Sequence, residues 1–127
     1  MKRYGNLFEK VVTFENLYKA AGKAFHGKRT RPHIARFHFH LEKEVIHLTD
    51  ELLEGRYRPR PYGIFEIRDP KVRQICASDF RDRVVHHAIC NVLEPIVDKR
   101  LAFDTYACRK NKGSHAAVKR AQYFAGR

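Results

Sequence analysis

Apolar residues recur at three- and four-residue spacing along three stretches of the chain and alternate along a fourth. Phe14, Leu17, Ala20, Ala21, Ala24 and Phe25 fall on one face of a helix running to about Phe25. Thr13 stands where a cap belongs and Glu15 lies in the first turn. After the breaker-rich connection His26-Gly27-Lys28-Arg29-Thr30-Arg31, Pro32 occupies a position favoured at the start of a helix. From there Ile34, Phe37, Leu41, Val45, Leu48, Leu52 and Leu53 predict one continuous amphipathic helix to about Glu54, ended by Gly55. The third periodic stretch carries Phe80, Val84, Val85, Ala88, Ile89, Val92 and Leu93 behind Ser78 or Asp79 as cap. Pro95 is expected to kink or end it, with Ile96 and Leu101 prolonging the apolar seam. The faces around Leu41, Val45 and Leu48, and around Val85, Ile89 and Val92, need partners to cover them.

Between the second and third helices the periodicity changes. Arg56-Tyr57-Arg58-Pro59-Arg60-Pro61 is extended, since each proline biases its predecessor away from helix. Tyr62 to Arg68 alternates, Asp69-Pro70-Lys71 reads as a turn, and Val72 to Ala77 returns, so a β-hairpin is predicted. Phe103 to Ala107 is expected to be a short extended piece, and Ser114 to cap a last helix through Ala116, Ala117, Val118 and Ala121. Residues 1–12 read as a poorly ordered basic lead-in and 13–127 as one region. The class is α+β: mainly helical, with one hairpin.

Composition sharpens this picture chiefly through charge. The 127 residues hold 26 Lys and Arg against 14 Asp and Glu, a formal net charge of +12 with pI near 10.0. A surplus of that size points to a polyanionic partner, a phosphate backbone before an anionic membrane. Hydrophobic residues make up 43%, enough for a modest core. No apolar run approaches the roughly 20 residues of a membrane span. No apolar segment follows Met1-Lys2-Arg3-Tyr4 as in a secretory signal, so a cytoplasmic location is expected. Cys76, Cys90 and Cys108 are widely separated and read as free thiols, two of them as small core residues in apolar runs. His38-Phe39-His40 and His86-His87 lack zinc-ligand spacing.

Three features carry candidate chemistry. The hairpin places Arg68, Lys71 and Arg73 at or near its tip, where arginine forks and a compact lysine charge suit phosphate oxygens. Asp79 and Asp82 open the third helix, where they complement its dipole; with Arg81 and Arg83 interleaved they make a poor catalytic pair. The loop Tyr106-Ala107-Cys108-Arg109-Lys110-Asn111-Lys112-Gly113-Ser114 joins an aromatic, three cations and a glycine to a helix N-terminus. It lacks the order of a P-loop. From Thr105 onward there is no acidic residue, while Arg109, Lys110, Lys112, Lys119, Arg120 and Arg127 accumulate.

In this order the features resemble a known family. Arg73, the run Val84-Val85-His86-His87-Ala88-Ile89, then Leu93-Glu94-Pro95-Ile96, then Asp104-Thr105-Tyr106-Ala107-Cys108-Arg109 with Gly113 look like the fingers region of bacterial reverse transcriptases. The group II intron and retron branches share this outline. The likeness is greatest to enzymes of diversity-generating retroelements, His26-Gly27-Lys28-Arg29 included, and covers about residues 14–126.

The resemblance implies an RNA-directed DNA polymerase, a nucleotidyltransferase with a right-hand fold, of which this chain is the fingers. Arg73 would bind the triphosphate of an incoming dNTP, with Arg68 or Lys71 as its partner cation. Tyr106, Arg109, Lys110, Lys112 and Gly113 would lie along the template, and Asp82 with Arg83 would support the hairpin base. Partners would be RNA template, primer or cDNA, dNTP and a retroelement accessory protein, with no membrane. The family's catalytic aspartates, one on a palm strand and two in a Tyr-x-Asp-Asp turn, hold Mg²⁺. They are absent here, so the chain is expected to be truncated before the palm, to bind no metal and to be inactive alone. The alternative is a standalone basic nucleic-acid-binding module without catalysis.

Overall fold

The computed structural model describes residues 3–28 and 31–126. Among them are six helices and one two-stranded antiparallel hairpin, an α+β arrangement: α1 Leu7–Val11, α2 Phe14–Phe25, α3 Pro32–Phe39, α4 Leu41–Leu53, β1 Gly63–Arg68, β2 Val72–Ala77, α5 Phe80–Asp98 and α6 Ser114–Ala125. They form two compact units, the first ending at Val92 and the second beginning at Leu93. None of the described helices is long and apolar enough to cross a membrane.

The first unit is built on α2, α3, α4 and the first half of α5. Thr13 caps α2, its side chain accepting from the Asn16 backbone N–H at 3.3 Å. Leu17, Ala20, Ala21, Ala24 and Phe25 face inward, and only Phe14 of the predicted stripe stays outside. Ile34, Val45, Leu48 and Val84 are fully buried beside them. The rings of Phe25, Phe37 and Phe80 close the centre, with centroids 4.9 to 6.3 Å apart. Val45, Leu48 and Val85 thus find their partners inside this unit, whereas Ile89 stays exposed.

Five local expectations are corrected or narrowed. The residues ahead of Thr13 are more than a lead-in: α1 forms there, and Val11 and Val12 are buried. The Asn16 amide fixes this turn, donating to the carbonyls of Val11 and Ala88 at 3.0 Å each. The helix expected over 32–54 is two helices, broken at His40, whose backbone leaves the helical region at φ −107°, ψ 28°. Phe37-His38-Phe39-His40 is a run of weak helix formers, which lowers the cost of the break. Of the two outcomes expected at Pro95, a kink or an end, the end does not occur: α5 runs through it to Asp98. Phe103 to Ala107 is a pair of turns rather than an extended piece, and Gly113, not Ser114, occupies the cap position of α6.

Gly55 ends α4 as expected. It takes the left-handed φ of +68°, so that its N–H reaches the Leu52 carbonyl and the Arg56 N–H reaches that of Glu51. The hairpin also forms as predicted, with Arg68 paired to Val72 next to the turn and Gly63 to Ala77 at the open end. No residue of either strand is buried. The ribbon therefore stands off the helical core, and Cys76, Cys90 and Cys108 are all exposed, so the core placement expected for two of them is corrected.

Candidate functional site

Arg68, Lys71 and Arg73 are all exposed near the tip of the hairpin. Strand register sets their directions. Ile67 is paired with Arg73 and Arg68 with Val72, so the two arginines belong to adjacent pairs and project from opposite faces. Arg73 shares its face with Phe65, Ile67 and Ile75; Arg68 shares the other with Glu66 and Gln74. Lys71 sits in the turn between them. The structure brings the three cations to one end of the ribbon but not to one side of it.

What holds that ribbon begins at its base. Asp82, 2% exposed, accepts from the Tyr57 hydroxyl at 2.6 Å and from the Arg60 backbone N–H at 2.9 Å. Both donors lie on the extended segment leading into β1, so one buried carboxylate ties that segment to the first turn of α5. Partial burial raises the Tyr57 phenol well above its usual range, and the Asp82 carboxylate adds to this, so the hydroxyl stays a donor. Arg81 lies against the Tyr57 ring, 5.4 Å from its centroid, and pairs with Glu51 at the end of α4. Asp79 accepts from the Arg81 N–H at 2.9 Å and faces Arg60 at 3.5 Å. Arg83 lies over the Phe80 ring at 5.6 Å, its Nε buried without a hydrogen-bond partner. Of the two support residues expected from sequence, Asp82 makes the ties. Glu51, Tyr57, Arg60 and Arg81 complete the network and were not singled out.

The loop of the second unit is organised by its own cations. Arg109 donates Nε to Asp98 Oδ1 at 2.7 Å and its terminal nitrogens to the carbonyls of Ala102, Thr105 and Asp98 at 3.1 to 3.4 Å. Its side chain is only 14% exposed. The guanidinium thus caps the end of α5 and gathers the following turns around itself. Lys112 donates to the Phe103 carbonyl and stands over the Phe103 and Tyr106 rings at 4.2 and 5.1 Å. Arg120 of α6 donates to Asp104 Oδ1 at 2.9 Å, and Tyr106 donates its hydroxyl to the same oxygen at 3.1 Å. Hydrogen bonds from Arg109 and Arg120 hold the Asp98 and Asp104 carboxyls below their usual range. Of the five residues expected on the template, Lys110 is exposed, Tyr106, Lys112 and Gly113 are half-buried, and Arg109 is turned inward. Cys108 and Asn111 take positive φ of 56° and 59°, which bends the loop back to its frame.

A cavity of about 560 Å³ opens in the first unit beside the start of α5, lined by His33, Arg36, Glu44, Arg60, Asp79 and Arg81 over Phe37 and Phe80. It carries both signs of charge, and its Arg60 and Asp79 face each other. Among the described residues no group of three His, Cys, Asp or Glu side chains is placed to hold a metal ion.

No protein-family model matches the chain. Protein YkfC of Escherichia coli (strain K12) is 32% identical over 81 residues, an alignment that takes in 62% of this chain and 21% of YkfC. The chain spans about a fifth of the length of the curated relative it matches.

Proposed function

We propose that this chain is the fingers portion of an RNA-directed DNA polymerase of the bacterial reverse transcriptase type, gripping an RNA template and an incoming dNTP. The observation that carries the reading is the succession of three elements. A free-standing hairpin bears three exposed cations; Asp82, at the start of the next helix, is fastened to the segment entering that hairpin; an acid-free basic loop then leads into α6.

In this reading Arg73 contacts the triphosphate with Lys71 or Arg68, and the Asp82 network sets the angle of the ribbon. Because the two arginines leave opposite faces, one phosphate cluster meets Arg73 and Lys71, or Arg68 and Lys71, before it meets all three. Tyr106, Lys110, Lys112 and Gly113 line the template, while Arg109 shapes the loop that presents them. Primer and a retroelement accessory protein are the further partners of such an enzyme. Among the described residues no three His, Cys, Asp or Glu side chains are gathered around one point, and no step of nucleotide transfer is assigned to them. The test is primer extension by a polypeptide in which this chain is continued by a palm bearing Tyr-x-Asp-Asp. Arg73→Ala is expected to raise the nucleotide KM several-fold with template affinity kept; an unchanged KM overturns the assignment.

The acid-free run after Asp104 favours a second reading, a standalone nucleic-acid-binding module. Filter binding by this chain across a salt series measures it, since each phosphate neutralised on a single strand steepens the log–log slope by roughly 0.7.

A further inference from the structure

The second unit gathers exposed aromatic rings around a cation in a way that its internal packing does not require. The Arg120 guanidinium lies 5.4 Å from the Phe103 ring centroid, 4.5 Å from that of Phe124 and 5.5 Å from that of Tyr123. Yet Phe103 is 70% exposed and Phe124 55%, and no residue of α6 is buried. Two large rings held in place by a cation, and left in water, lose the hydrophobic gain that ordinarily keeps phenylalanine inside. The acid beside them, Asp104, is paired with Arg120, and six cations and no acid follow it in the sequence.

We infer that Phe103, Arg120 and Phe124 form a stacking platform for the unpaired bases of a single-stranded RNA whose phosphates run along Lys110 and Lys119. The inference rests on the nucleic-acid reading above and adds to it the chemical form of the strand. Three physical points support it. Every base offers a π-face, so aromatic stacking suits a template of any sequence. Arg120 has already neutralised Asp104 and lies against the rings, so a base entering there meets a cation–π edge and not a carboxylate. The rings are also pre-positioned by Arg120, and by Lys112 over Phe103, which lowers the cost of ordering them on binding. A paired duplex hides its base faces and cannot use such a surface.

Fluorescence anisotropy with the whole chain tests this with three labelled 12-nucleotide probes: single-stranded RNA, the same strand with abasic positions, and a duplex. The base-bearing single strand should bind about five- to a hundredfold more tightly than the abasic one, as loss of one or two stacked bases implies. Phe124→Ala and Phe103→Leu should remove most of that difference and leave the salt slope unchanged, whereas Lys119→Ala should lower the slope. Phe103→Leu keeps an apolar side chain in the turn, and the abasic comparison uses the unaltered protein, so neither depends on a misfolded variant. Equal affinity for base-bearing and abasic strands overturns the platform while leaving the basic grip intact. Binding to none of the probes overturns both. Phe124-dependent self-association by sedimentation, without an effect of Phe124→Ala on RNA, overturns the platform in favour of a protein interface.

Discussion

The two units use the same basic composition for opposite ends. In the first, apolar packing of α2 to α5 makes the fold, the deeply buried acid Asp82 ties down a segment, and the cations of the hairpin are left in solvent. In the second, α6 buries nothing, and Arg109, Lys112 and Arg120 act as the frame around which the turns wrap. A basic residue is therefore no fixed sign of a ligand. Cations that stand off the packed helices, as on the hairpin, remain available for a partner; those set among helix ends and turns, like Arg81 in the first unit and Arg109 in the second, are occupied by carbonyls, carboxylates and rings.

The largest expected effect tests the apolar half of this contrast. Leu48 is wholly buried between α4 and its neighbours, and Leu48→Ala should cost about 3 kcal/mol from lost transfer and the cavity left behind. Val118, 55% exposed on α6, should cost less than about 0.5 kcal/mol when changed to Ala. Urea unfolding of the two variants measures the difference. Similar losses from both would mean that the second unit has an apolar core after all, and the comparison would collapse.

The next effect separates a polar tie from a polar frame. Asp82→Ala removes the acceptor of Tyr57 and Arg60 and should cost about 2 kcal/mol, as hydrogen bonds to a charged group do. Hydrogen exchange should quicken over residues 56–77 and stay unchanged over 99–113. Arg109→Ala should do the reverse, freeing the turns between Asp98 and Gly113 without touching the hairpin. This matters for any binding assay, because a loss of RNA affinity in Arg109→Ala reports the collapse of the loop as well as a missing phosphate contact. Lys110, which is exposed in the same loop, is the cleaner probe.

These ties also show what could be read from the sequence and what could not. Thr13 before α2, Gly55 after α4 and the Asp69-Pro70-Lys71 turn act within a few residues of themselves, so local rules suffice for them. The break at His40 is hidden in the apolar pattern, because Ile34, Phe37, Leu41, Val45 and Leu48 keep helical spacing straight through it, and only the weak helix formers Phe37 to His40 hint at it. Asp82 was read as a support, but its partners Tyr57 and Arg60 lie more than twenty residues away, and nothing along the chain announces such a pairing. The bonds of Arg109 within its loop are hidden for a related reason. A cation in a glycine-bearing loop looks available until the turns around it reveal four acceptors aimed at one guanidinium. Cys76 sits in an apolar run that would be inside if the hairpin packed on the helices, and it does not.

The smallest expected effect is a pH dependence confined to the first unit. His87 lies on α5 where burial, then the charges of Lys23, Lys28, His86 and Arg83, push its pKa below the usual 6.5. With the folded value lowered, the unfolded chain binds the proton first. Stability should therefore be complete above pH 6.5 and should decline as the pH falls from there toward the folded value. His87→Gln, which keeps a polar side chain but cannot charge, should flatten this decline between pH 7 and 5.5. The ties of the second unit should hold over the same window, because Asp98 and Asp104 have carboxyls held below their usual 3.8 by Arg109 and Arg120, and those bonds weaken only in stronger acid. Hydrogen exchange at pH 5.5, corrected for the intrinsic rate, should then show α2 and α5 up to Val92 loosened relative to pH 7 while the Arg109 loop is unchanged. Loosening of the loop first would mean that its cations are not its frame, and that they are as free for a polyanion as those of the hairpin.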